Sequence, residues 1–135
     1  MQTTNNTILI TGGTSGIGYA FAVRFHELGN KVIICGRRAD RLAQIGAKHP
    51  GMVTKVCDIA VAAERGSLAA WAVEHHPGLN ILMNNAGIQL LTDLTKPVEL
   101  DKVQSEVETN LIAPIHLGSL LMLAVRFSSI IRSGS

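Results

Sequence analysis

The chain has 135 residues, 47% hydrophobic and 16% charged, and twelve Lys and Arg against ten Asp and Glu leave a net charge of +2. That balance excludes charge-driven disorder, an acidic tail and a polybasic arm of the kind that holds nucleic acid. The length suits one domain, 1–135, with a real core, and thirteen glycines beside only five aromatic residues favour layered α/β structure over a β-sandwich.

Met1 to Asn6 is polar and uncharged, so no secretory leader is expected. Thr7–Thr11 is a compact apolar run between Asn5-Asn6 and Gly12-Gly13, which predicts a buried strand. Gly16–Leu28 places Ile17, Ala20, Phe21, Val23, Phe25 and Leu28 at helical spacing and stops at Gly29-Asn30. Lys31–Cys35 predicts a second strand, and Ala39–Lys48 a short helix halted by His49-Pro50-Gly51. Met52–Cys57 predicts a third strand, Ala60–His76 a third helix stopped by Pro77-Gly78, and Leu79–Met83 a fourth strand. Crossovers of this length make parallel strands and right-handed connections, hence a doubly wound α/β sheet covered on both faces.

The remainder reads differently. Ile88–Lys96 is predicted as a loop, Pro97 as the first residue of a helix, and Val98–Phe127 as one long or broken helical stretch. Ser128–Ser135, with Ile130-Ile131, is either a frayed tail or the start of a fifth strand. The apolar run Leu111–Val125 carries Pro114 and His116 and falls short of the roughly 20 residues of a bilayer span, so no membrane partner is expected. Cys35 and Cys57 are isolated among strand residues and read as small buried hydrophobes, which makes a reducing cytoplasm the default setting. His75-His76 diverge on a helix, and His26, His49 and His116 lack ligand spacing, so no metal is expected.

The junction of the first strand and helix carries Thr11-Gly12-Gly13-Thr14-Ser15-Gly16-Ile17-Gly18. Gly12 permits a tight turn, Gly16 lets a diphosphate approach the backbone, and Gly18 lets the helix pack closely on the strand. Free N–H groups at the helix start then face phosphate, and Gly12, Thr14, Ser15, Gly16, Ile17 and Gly18 are the candidate cradle. Pro114 stands four residues after Asn110 and cannot donate to its carbonyl, which predicts a kink and leaves that carbonyl able to hold a water.

The spacing Gly-x-x-x-Gly-x-Gly, Asp58-Ile59 after the third strand, Asn84-Asn85-Ala86-Gly87 after the fourth, and Asn110-Leu111 with Ala113-Pro114 together resemble the short-chain dehydrogenase/reductase family, from Thr7 to about Phe127. The resemblance implies a Rossmann-like sheet with strand order 3-2-1-4. It implies that Asp58 accepts from the adenine amino group with Ile59 beside the ring, although Asp58 also suits a cap for the following helix. It implies that Asn84, Ala86 and Gly87 line the cofactor ribose, while the two asparagines equally suit tying strands together. It implies that Asn110 positions a water in a proton relay.

After the second strand, where an NAD site places a carboxylate, the chain reads Cys35-Gly36-Arg37-Arg38. Arg37, with Arg38 beside it, suits the 2′-phosphate of NADP by charge and fork geometry; the alternative is a solvated helix start shared with Arg41. Family members transfer a hydride between nicotinamide and a carbonyl or alcohol carbon, with a tyrosine, and a lysine four residues later, handling the proton. Here Tyr19 is followed at that spacing by Val23, and no lysine follows Lys102. The segment Ser128–Ser135 faintly resembles the family's fifth strand and its serine, with Ser133 or Ser135 as candidate. The reading is therefore the NADP(H)-binding half of a short-chain oxidoreductase, truncated and without turnover; the alternative is an inactive dinucleotide-binding or self-association module. Homo-oligomers through the Leu111–Phe127 helix or the exposed sheet edge are expected.

Overall fold

The structure is a computed structural model that describes residues 3–88 and 93–133, with side chains described as far as residue 124. Strands β1 (Thr7–Thr11), β2 (Lys31–Gly36), β3 (Val53–Val56) and β4 (Ile81–Asn84) form one parallel sheet in the order β3-β2-β1-β4. Helices α1 (Gly16–Glu27), α2 (Ala39–Lys48) and α3 (Ala62–His75) are the crossovers. Helix α4 (Leu100–Val107), a π-turn (Glu108–Ile112) and helix α5 (Ala113–Ser133) follow. This is the doubly wound architecture and strand order that the sequence predicts.

Side-chain alternation along the strands sorts the core into two layers. Ile8 and Ile10 of β1 join Val32 and Ile34 of β2, Ala22 of α1, and Leu42 and Ile45 of α2. Leu9 and Ile33 point the other way and join Leu68, Ala69 and Ala72 of α3 with Leu117 and Leu121 of α5. Each such aliphatic side chain contributes about 1.5–3 kcal/mol by leaving water. The apolar runs of β1 and β2 are continuous because both sheet faces are covered.

Several boundaries differ from the prediction, each for a local reason. α3 begins at Ala62 instead of Ala60, because a turn intervenes: the Ala60 N–H donates to Asp58 Oδ1 (3.0 Å) and the Val61 N–H to the Asp58 carbonyl (3.1 Å). β3 is shorter than Met52–Cys57, since its pairing with β2 runs only from Val53 to Val56. β4 begins at Ile81 instead of Leu79, and Asn80 serves as a clasp, its Oδ1 accepting the Thr7 N–H at 2.9 Å. Pro97 is not the first residue of a helix: the Glu99 carbonyl accepts from Lys102 (3.1 Å) and Val103 (3.3 Å), so α4 starts at Leu100. Of the predicted loop Ile88–Lys96, residues 89–92 lie outside the described residues.

The predicted interruption near Pro114 takes the form of the π-turn, in which the Ala113 N–H reaches back to the Glu108 carbonyl. One extra residue per turn absorbs the missing proline donor ahead of α5. Residues 128–133 continue α5 and form neither a frayed tail nor a fifth strand; no glycine or proline interrupts the chain between Ser119 and Ser133.

Candidate functional site

The carboxyl ends of the parallel strands and the loops that follow them enclose a cavity of about 630 Å³. Such a crevice, beside the switch point of an open parallel sheet, is where α/β folds bind ligands. β1 delivers the glycine loop. Gly12 has a positive φ of 66°, and a Cβ there would come within 2.8 Å of Ala86 Cα. The loop thus lies directly against the exit of β4. A Cβ on Gly18 would collide with Asn85 Nδ2 and the Gly12 carbonyl, so this glycine sets how closely α1 approaches the sheet. Gly16 is different: its φ is 59°, and nothing lies within 4 Å of a Cβ built on it.

Thr11 and Asn85 hold this corner together. The buried Thr11 Oγ1 accepts from the backbone N–H groups of Asn85 and Ala86, each at 3.1 Å, and Asn85 Nδ2 donates to the Gly12 carbonyl at 3.1 Å. On the outer side of the loop, Arg41 Nε donates to the Thr14 carbonyl at 3.1 Å while its guanidinium lies 5.5 Å from the centre of the Tyr19 ring. Arg41 is therefore not merely part of a solvated helix start. Ser15 is the N-cap of α1 but makes no side-chain cap bond, and the first turn holds no acidic residue. Among the described residues, no side-chain acceptor serves the opening N–H groups of α1, and the partial positive charge there suits an anion.

Of the residues the sequence singles out for a cofactor, Gly12, Thr14, Ser15, Arg37, Arg38, Asp58, Ile59, Ala86 and Gly87 line the cavity. Gly16, Ile17, Gly18 and Asn84 are not on its wall; Ile17 is 70% exposed, and Asn84 is exposed at the end of β4 while its neighbour Asn85 faces the cavity. Arg37 and Arg38 are exposed and in no salt bridge among the described residues. Two exposed guanidinium groups on the wall of a cavity, in no ion pair among the described residues, are chemically matched to phosphate. Asp58 does not cap α3, whose N-cap is Val61; its Oδ1 closes the turn to Ala60 instead.

The Asn110 side chain is exposed and paired with the Ile88 backbone, accepting its N–H at 2.7 Å and donating to its carbonyl. It fastens the segment after β4 to the π-turn, and Thr109, its neighbour, lines the cavity. Pro114 has no N–H to offer the Asn110 carbonyl. Tyr19 lies outside the cavity wall; its hydroxyl bonds His49 Nε2 at 2.8 Å. The backbone of Ser133 is helical, and Ser135 lies outside the described residues.

Cys35 and Cys57 also border the cavity. Burial pushes the Cys35 thiol up to about 12 and that of Cys57 to about 11, so both stay protonated and unreactive near neutral pH. Thr11, Asn85, Arg41 and Thr109 escape the sequence-based selection. Asn85 was within reach of it, since it stands inside the Asn-Asn-Ala-Gly segment.

Comparison with known proteins places these features in context. The family model described as short chain dehydrogenase matches residues 6–131. An uncharacterized oxidoreductase, DltE, of Bacillus subtilis is 50% identical over 121 residues, covering 89% of this chain and 48% of that protein. Serine 3-dehydrogenase of Rhizobium radiobacter is 40% identical over 111 residues, covering 79% of this chain and 43% of that protein. The solved structure of a short-chain dehydrogenase from Streptomyces avermitilis superposes with a TM-score of 0.82 at 24% identity, covering 90% of this chain and 45% of that one. The chain spans about half the length of the relatives it matches.

Proposed function

The chain belongs to the short-chain dehydrogenase family, and from that premise we propose that it is the NADP(H)-binding half of an oxidoreductase. The nicotinamide, when bound, supplies or receives the hydride. The observation that carries the reading is the α1 start, open and without a side-chain cap, beside Arg37 and Arg38, which line the cavity and form no ion pair among the described residues. In this reading the α1 amides hold the diphosphate, Arg37 pairs with the 2′-phosphate, Arg38 lies over the adenine or beside the phosphate, and Asp58 takes the adenine amino group. Asn85, through its bond to the Gly12 carbonyl, keeps the loop in shape.

NADPH fluorescence titration tests this. The chain should bind NADPH saturably and prefer it to NADH. Arg37→Glu should weaken NADPH by about tenfold or more, the loss of one charge-assisted hydrogen bond plus a new repulsion, and leave NADH nearly unchanged. The absence of saturation, or equal affinity for the two nucleotides, would overturn the assignment.

Within these 135 residues no tyrosine is followed four positions on by lysine, so we further propose binding without turnover. General acid–base help contributes about 10²–10⁴ in rate, which binding alone does not supply. NADPH oxidation with a panel of carbonyl compounds, above a Gly12→Val control, would contradict this. A second reading, a catalytically silent self-association module, draws on Ile115, Met122 and Leu123, which α5 leaves 65%, 66% and 56% exposed.

A further inference from the structure

Arg65 is the largest fully buried side chain among the described residues, at 2% exposure, and it sits on the buried stripe of α3 with Leu68, Ala69 and Ala72. A guanidinium in that position needs all its donors occupied. Each of its three nitrogens has a partner, and the partners come from three different segments. Nη1 donates to the Ile59 carbonyl at 2.7 Å, Nη2 to Glu108 Oε1 at 2.9 Å, and Nε to His116 Nδ1 at 2.9 Å. Arginine only donates, so Nδ1 is the accepting nitrogen and the His116 proton resides on Nε2.

Two of these segments, the loop after β3 and the π-turn, contribute residues to the cavity wall. Asp58 and Ile59 line one side, and Ser105 and Thr109, at the approach to and within the π-turn, line the other. Asn110, which grips Ile88, follows Thr109. We propose that Arg65 is a positioning residue for the cavity: it clamps the loop around Ile59 to the π-turn and to α5, so that the spacing between the two walls is set by one buried fork. The proposal rests on the dinucleotide reading only for its binding readout. A side chain that merely filled the core would not need its three polar partners to lie one on each of these segments.

Three measurements on the full chain test the clamp: NADPH affinity, amide hydrogen exchange, and the ¹⁵N signals of the His116 ring. In Arg65→Met, NADPH binding should weaken by about fivefold or more. Exchange at Ile59, Ala60 and Thr109 should accelerate while β1 and β2 amides keep wild-type protection, and His116 should lose its single-tautomer signature. Arg65→Lys, which retains the charge but not the fork, should fall between the two. Wild-type affinity and exchange in a folded Arg65→Met would overturn the proposal, as would acceleration spread evenly over the sheet. Should Arg65→Met fail to fold, Glu108→Gln is judged on the same readouts. If the wild-type chain does not bind NADPH, the dinucleotide reading fails, and the exchange and ring signals still decide whether the clamp exists.

Discussion

At the scale of single residues, neighbouring glycines of one loop answer to different physics. Gly16→Ala costs only the positive φ, about 1–2 kcal/mol, because a methyl there meets nothing. Gly18→Ala drives a methyl into Asn85 and the Gly12 carbonyl and disturbs the corner that Thr11 organises. Chemical denaturation should show Gly18→Ala losing more stability than Gly16→Ala, by at least about 1 kcal/mol. The roles of these glycines were legible from the strand–loop–helix placement, but which one faces open space depends on Asn85 and Ala86, far along the chain, and could not be read. His76 is a second such residue. Its Nδ1 is buried without a partner among the described residues, and burial, with Lys31 and His75 nearby, lowers its affinity for a proton. The unfolded chain therefore takes up a proton near pH 6.5 that the native state resists, and stability falls as pH drops below that value. Thermal melts of wild type and His76→Phe between about pH 7 and 5 should show a shallower pH dependence in the variant.

Among the elements, the strands and the first three helices were legible because their apolar periodicity is strong and glycine or proline follows each of those helices. Their limits were less so. The Asp58–Ala60 turn, the Asn80 clasp and the late start of α4 each depend on a particular hydrogen bond, and composition does not reveal such bonds. Arg65 left a faint trace, a cation at the spacing of Leu68, Ala69 and Ala72, which is ordinarily a reason to doubt the buried face. The asymmetry of α5 was hidden for the opposite reason: its residues are apolar almost all round, so pattern alone could not tell which side packs. Leu117 is fully buried against α3, and Leu117→Ala should cost about 2–5 kcal/mol by urea unfolding. Leu123→Ala, on the exposed side, should stay within about 0.5 kcal/mol in a monomeric sample.

On the scale of the whole molecule, that same exposed side and the outer strand β4 leave apolar surface without cover among the described residues. We predict concentration-dependent association in sedimentation velocity. Met122→Ser combined with Leu123→Ser should shift the population toward monomer if α5 is the contact, and leave it unchanged if the β4 edge is. The strand order has a consequence of another kind. β1 is the first strand along the chain and yet an interior one, and Thr7 meets its partner Asn80 across a separation of 73 residues. Closing so long a loop is entropically uphill and is rewarded only after three crossovers exist, so the β1–β4 seam should be the last to zip during refolding. During synthesis, one flank of the central strand waits bare while everything between is translated, and this interval is when a chaperone would find the chain most in need of it.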